Sequence, residues 1–307
     1  MLRFPLSRRA RCPSSGALSY LWQDVCGVVR FPAVTNSTSA AKTSDNLFWR
    51  PFCAAPADAQ TRLDHDKRNG VYTLTFLGQG EHRINPAFVA EVERQLDTVL
   101  ENESPIALVT ANEGRFWCNG LDIDWVKEDP KIRLEPGVLS LLRLVKRFLE
   151  LPIPTVASIN GHAAGGGFVL ALANDYRYMR RSKSVLYLSG VDIGLPHPPG
   201  ANALLRSKMR PEVYRDAVLY GMKFNGDMAA SAGLVQCDPL GEIPWDADVL
   251  KHAEKFASFL ARRKFDREVY GAMKRDMYSE ALELLENGGI GQLGSMGLFG
   301  KILKGAE

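Results

Sequence analysis

The chain has 307 residues, 46% hydrophobic and 24% charged, which supports a large buried core and excludes a disordered protein. Lysine and arginine total 38 against 35 acidic residues; seven of the basic and three of the acidic fall in residues 1–60, so the remainder is close to neutral and offers no basic face to nucleic acid. The five cysteines (Cys12, Cys26, Cys53, Cys118, Cys237) include no CxxC pair, so neither a zinc site nor a disulfide framework is expected, and a reducing compartment fits.

Arg3, Arg8, Arg9 and Arg11 precede the first acid, Asp24, and serines are interleaved with them. Such a start reads as an organellar transit peptide, and residues 1–62 are taken as transit peptide and linker, with mitochondria as the expected location. A core is expected over 63–248 and a helical C-terminal region over 249–307. Gly70–Phe76 alternates as a strand does. Asn85-Pro86 then opens a helix over Ala87–Leu100 with Phe88, Val89, Val92, Leu96 and Leu100 on one face. A buried strand at Ile106–Thr110 leads into a loop, Ala111–Asp124. Leu139–Leu149 is an amphipathic helix, Thr155–Ile159 a buried strand and Gly166–Asn174 a helix. Val185–Leu188 is a further strand and Pro196–Gly200 a rigid turn. Two helices, His252–Arg263 and Glu268–Asn287, end the pattern. Gly288–Gly300 is either a loose tail or a segment that docks on a partner subunit. The alternation of strands and helices predicts an α/β fold with parallel crossovers. Leu151–Asn174 is uncharged and long enough to span a bilayer, but Pro152, Pro154, Asn160 and four glycines make it a strand–turn–helix; no integral membrane segment is expected.

Two loops carry the chemistry. Gly165-Gly166-Gly167 stands where a strand turns into a helix, leaving N–H groups at the positive end of the helix dipole, a site for an anion or a developing oxyanion. The loop Trp117-Cys-Asn-Gly-Leu-Asp-Ile123 can supply a second amide, and two amides from separate loops make an oxyanion hole. No metal-ligand cluster and no dinucleotide fingerprint accompany them.

These two motifs, about 45 residues apart, resemble those of the enoyl-CoA hydratase/isomerase (crotonase) family. Asn160-Gly-His-Ala-Ala-Gly-Gly-Gly with Asp175 downstream matches the second motif almost throughout. Glu81-His-Arg83, Asn119-Gly-Leu-Asp122 and Val191-Asp-Ile-Gly-Leu195 are most similar to the plant-type Δ3-Δ2-enoyl-CoA isomerases. The resemblance implies a crotonase spiral of repeated β-β-α units with a helical C-terminal region, assembled as a homotrimer or homohexamer. It implies an acyl-CoA substrate, no cofactor beyond that coenzyme A thioester, and a role in fatty-acid β-oxidation. The oxyanion donors would be the N–H groups of Leu121 and Gly166. Arg83, Ile84, Asn119, Gly120, Leu121, Gly165, Gly166 and Val169 would border the substrate, with Arg83 facing a CoA phosphate. The plant subgroup also brings peroxisomes in as the alternative location.

Two positions depart from the family. The first hydratase glutamate falls at Val169, which disfavours water addition. The isomerase glutamate, which moves a proton from C2 to C4, falls at Gly190. Three readings stay open. Asp192, two residues on, would share a side with Gly190 in an extended segment. His197 in the proline-rich turn is a second substitute. The third is an acyl-CoA-binding paralogue without strong catalysis; thioester hydrolysis run by Asp192 or His197 is a further option. Restoring a carboxylate with Gly190→Glu is expected to raise isomerase activity. His162 is read as a core histidine, Asp122 as a brace of the oxyanion loop, Asp175 as a helix end, and Cys118 as an unactivated thiol.

Overall fold

The computed structural model describes residues 59–104, 106–236 and 249–294. The transit-peptide reading, Cys12, Cys26, Cys53, Cys237 and the tail after Gly294 lie outside these residues.

In chain order the elements are β1 (Thr61–Asp66), β2 (Val71–Phe76), α1 (Pro86–Leu100), β3 (Ala107–Asn112), β4 (Phe116–Cys118), α2 (Ile123–Glu128), α3 (Pro130–Glu150), β5 (Thr155–Ile159), β6 (His162–Ala164), α4 (Gly166–Ala173), β7 (Tyr176–Met179), β8 (Leu186–Tyr187) and α5 (Gly190–Ile193). Then come α6 (Pro199–Lys208), α7 (Pro211–Leu219), α8 (Gly226–Ser231), α9 (Val249–Arg262), α10 (Arg267–Met277), α11 (Ser279–Asn287) and a 3-10 turn at Gly291–Gly294. Five strands form one sheet in the order β1-β2-β3-β5-β7; β4, β6 and β8 form another. All pairs are parallel except β1–β2. After β1 and β2, which both lie in the larger sheet, the pairs β3–β4, β5–β6 and β7–β8 each give their first strand to that sheet and their second to the other.

The five-stranded sheet is covered on both faces, as its nearly continuous apolar strands require. Leu108, Ala157 and Ile159 point into the larger core with Leu74, Phe76, Phe88 and Phe148. The alternate positions Val71, Val109 and Val156 meet Ala253, Ala257 and Leu260 of α9 on the other side. Helix α1 begins as the sequence predicts: the Asn85 side chain accepts from the Phe88 amide at 3.0 Å, and Pro86 takes a position where no N–H is needed.

Several elements differ from the expectation, each for a local reason. β1 falls across the predicted linker edge; its sequence is polar, and it becomes a strand because it pairs along the free edge of β2. β4 and β6, three residues each, are too short to carry a period, and the predicted loop 111–124 therefore hides a strand. β7 also escapes the pattern. Helix α3 starts nine residues before Leu139. Pro130 sits at its first turn, where proline is tolerated, and only Pro136 interrupts the ladder. The second C-terminal helix is two, divided at Tyr278. The C-terminal helices fold back onto their own chain: α9 lies on the sheet, and α11 packs on α6 and α3. Gly288–Gly294 likewise packs on its own chain, with Gly291 close against Pro199, so over those residues it is not a loose tail. No helix among the described residues is long and apolar enough to cross a membrane.

Candidate active site

The two glycine loops are forced together by backbone contacts. A Cβ on Gly167 would lie 2.1 Å from the Cys118 carbonyl oxygen, and one on Gly161 would lie 2.4 Å from that of Arg115. A Cβ on Gly120 would fall 2.6 Å from the Gly166 nitrogen, and Gly120 itself has φ +79°. Only glycine permits this approach. Gly167→Ala is therefore expected to destabilise the protein by about 1–3 kcal/mol or more, since the obstacle is a carbonyl and not a movable side chain; a denaturant midpoint equal to wild type would refute it.

The same contacts set the amides. Ile84 and Leu121 form a parallel bridge: the Ile84 N–H donates to the Gly120 carbonyl at 2.7 Å, and the Asp122 N–H to the Ile84 carbonyl at 2.9 Å. The bridge uses the neighbours of Leu121 and leaves that residue's own N–H outside it. Gly165, at φ +51°, donates to the Tyr187 carbonyl and turns the chain into α4. Gly166 is the first residue of α4, so its N–H has no partner within the helix. Leu121 and Gly166 both line one cleft. Asp122 braces the arrangement: its carboxylate caps α2 by accepting from the Trp125 amide at 3.1 Å and accepts from the Asn85 side chain at 2.9 Å.

The cleft is mostly apolar. Leu134, Val138 and Leu141 of α3 form one wall, and Ile193, Leu195 and Leu293 stand among the others. Its polar side chains are Asn119, Ser189 and His197. His197 Nε2 is buried with no hydrogen-bond partner, and burial alone pushes the imidazole below its ordinary pKa. Leu293 could not be read from sequence as a wall; its only signal was the glycine-rich stretch around it.

Several predicted residues sit elsewhere. The segment after Ser189 is the short helix α5, not an extended strand, so Asp192 does not share a side with Gly190. Asp192 is exposed, does not line the cleft, and lies next to Gly221. A Cβ on Gly190 would lie 2.4 Å from the Leu195 carbonyl oxygen and 2.9–3.0 Å from His197 Cε1 and Nε2. Gly190→Glu therefore does not simply restore a carboxylate: the new side chain would displace both the backbone and the imidazole. Val169 and Ile84 are buried and do not line the cleft. Asn119 lines it, with its amide donating to Glu81 at 2.8 Å. Arg83 is ion-paired with Glu81 at 2.6 Å and with Asp124, so its guanidinium is held by carboxylates and not presented alone.

Among the bystanders, Cys118 is buried and its thiol is pushed up to about 12, which removes it as a nucleophile. His162 is half-buried against Phe116. Asp175 is not the cap of α4, which closes at Asn174; it pairs with Lys274 at 3.0 Å, and its carboxylate accepts from the Thr155 amide and the Tyr270 hydroxyl, each at 3.0 Å.

A family model described as enoyl-CoA hydratase/isomerase matches residues 66–283. Enoyl-CoA delta isomerase 2, peroxisomal, of Arabidopsis thaliana is 35% identical over 230 residues, spanning 72% of this chain and 93% of its own. Enoyl-CoA delta isomerase 1, peroxisomal, of the same plant is 31% identical over 220 residues, spanning 71% and 90%. Among solved structures, a probable enoyl-CoA hydratase of Mycobacterium tuberculosis H37Rv matches with a TM-score of 0.69 at 20% identity, covering 80% of this chain and 99% of that one, which is a likeness of fold.

Proposed function

This chain belongs to the enoyl-CoA hydratase/isomerase family and has its crotonase fold, and from that premise we propose that it is a Δ3-Δ2-enoyl-CoA isomerase acting in fatty-acid β-oxidation. The single observation that carries the reading is the contact of Gly120 with Gly166, which brings two amide-bearing turns to one apolar cleft. In this reading the thioester carbonyl accepts from the N–H groups of Leu121 and Gly166. Removal of a proton from C2 makes a dienolate, and the negative charge settles on the oxygen held by the two amides. The apolar walls keep water away and strengthen those hydrogen bonds. Gly165 and Gly120 shape the hole, and Asn119 borders the acyl-CoA. With Val169 where hydratases carry a glutamate, no carboxylate on α4 is available to activate water.

Coenzyme A is here part of the substrate. Arg83 and Ile84 flank the loop on which its nucleotide end would run, and a phosphate there must compete with Glu81 and Asp124 for the arginine. The Arabidopsis relatives named as peroxisomal support a peroxisomal location; the mitochondrial expectation draws no support from them. Assembly as a homotrimer or homohexamer stays part of the proposal and is read by light scattering.

Purified protein is expected to convert 3-hexenoyl-CoA to the 2-enoyl product, followed by thioester absorbance. Calorimetric binding of the CoA ester without turnover would replace this reading with that of an acyl-CoA-binding paralogue. Release of free coenzyme A would replace it with a thioesterase.

A further inference from the structure

The cleft of a proton-shuttling isomerase needs a group that can accept and return a proton, and the residue at position 190 has no side chain. The space is not vacant. A Cβ built on Gly190 runs within 2.9–3.0 Å of the His197 ring, so the imidazole stands where a side chain from position 190 would begin. Two features hold it there. Pro196, Pro198 and Pro199 stiffen the chain on either side, and the His197 carbonyl accepts from the Asn202 side chain at 3.1 Å, tying the turn to α6. The ring nitrogen Nε2 has no protein partner although it is buried, an arrangement that costs free energy unless a ligand completes it.

Among the residues that line the cleft, His197 is the one that can titrate near neutral pH. The groups facing it are uncharged: Gly190 and Ser189 at the start of α5, the Leu195 carbonyl, and Leu293 from the C-terminal segment. Asp192, the nearest acid on α5, lies towards Gly221.

We propose that the imidazole of His197 replaces the missing carboxylate as the base that carries the proton from C2 to C4. This rests on the isomerase reading above. Neutral His197 takes the C2 proton through the Nε2 lone pair. The C2–H electron pair forms the C1=C2 bond of the dienolate, and the carbonyl π pair moves onto the oxygen held by Leu121 and Gly166. The C3=C4 pair then takes the proton from the imidazolium to form the new C4–H bond, the C1=C2 pair shifts to become C2=C3, and an oxygen lone pair re-forms the carbonyl. The histidine finishes neutral, and no redox partner or water is consumed. An imidazolium also pairs with the dienolate, which a neutral cleft otherwise leaves without a counter-charge.

The test compares wild type with His197→Gln in the full-length protein, using two readouts. The first is turnover of 3-hexenoyl-CoA as a function of pH. The second is exchange of the C2 hydrogens of butyryl-CoA in D2O by mass spectrometry, which needs the base and the hole but no double bond. His197→Gln is expected to lower both rates by at least about 100-fold with the calorimetric Kd for butyryl-CoA within a few-fold of wild type. In wild type, kcat/KM is expected to fall on the acid side with a midpoint below the ordinary imidazole value of about 6.5, and this limb disappears in the variant. If wild type isomerises and His197→Gln does so equally well, or if Asp192→Asn is the change that abolishes both rates, the proposal is overturned and the isomerase reading stands. If wild type exchanges the C2 hydrogens without isomerising, the isomerase reading fails while loss of exchange in His197→Gln still supports the base. Wild type that does neither overturns both.

Discussion

Gly166→Pro is expected to lower kcat for 3-enoyl-CoA by about 100- to 1000-fold, the usual effect of losing one oxyanion donor, roughly 2.7–4 kcal/mol. The substitution removes a single N–H. Position 166 opens α4, where the backbone amide has no helical acceptor and where proline's fixed φ is accommodated. The steric burden falls on a movable group, since a Cβ at 166 meets Leu141 Cδ2 at 2.6 Å, the far end of a side chain on α3. Gly166→Ala brings the same Cβ and keeps the N–H, so it controls for the Cβ, while proline puts its ring methylene where the amide hydrogen pointed. The expected order of activity is wild type, then Gly166→Ala, then Gly166→Pro far below, with the two variants matching in thermal midpoint. Equal activity in the alanine and proline variants would mean that this amide does not hold the carbonyl oxygen.

Asp175→Ala is expected to destabilise the protein by about 3–5 kcal/mol, the cost of leaving a buried charge without its partner. Lys274 is 3% exposed and its ammonium lies between Asp175 at 3.0 Å and the Phe148 carbonyl at 3.1 Å. Asp175 also receives the Thr155 amide and the Tyr270 hydroxyl, so one carboxylate fastens β5 and α10 to the end of α4. Removing both charges with Asp175→Ala/Lys274→Met should recover much of the loss, because the penalty is the orphaned ammonium and not the absent attraction. The denaturant midpoints of the two single variants and the double variant measure this directly. A double variant no better than Asp175→Ala alone would place the cost in the Thr155 and Tyr270 hydrogen bonds.

What the sequence made legible follows from where its signals are strong. Val71–Phe76, Thr155–Ile159 and α1 were readable because alternation, an apolar run and an Asn-Pro cap are local properties. Gly120 and Gly165–Gly167 were readable as a pair of loops because glycine clusters at such turns have few other uses. β4, β6 and β7 were not readable: each is three or four residues long and exists only because a neighbouring strand completes it. The helix expected from Leu139 starts at Pro130 and continues through Pro136 and Gly137. A Cβ on Gly137 would be 3.2 Å from Trp125 and 3.3 Å from Leu121, a packing demand that no local pattern expresses. Asp192 was misjudged for a similar reason. Its direction depends on whether four residues are extended or helical, and Ser189–Ile193 carries too little period to decide that. The nearness of His197 to Gly190 needs the turn at Gly194, at φ +71°, which reverses the chain.

The collisions at Gly161 and Gly167 have a consequence for how kinship and chemistry are told apart. Those two positions exclude any larger residue because carbonyl groups of a neighbouring segment occupy the volume, whatever the protein does with a substrate. A descendant that had given up turnover altogether would keep both in order to fold. The glycine signature is therefore a record of descent, and the trade practised by any one descendant must be sought in the side chains around the opening, where architecture leaves selection free to change them.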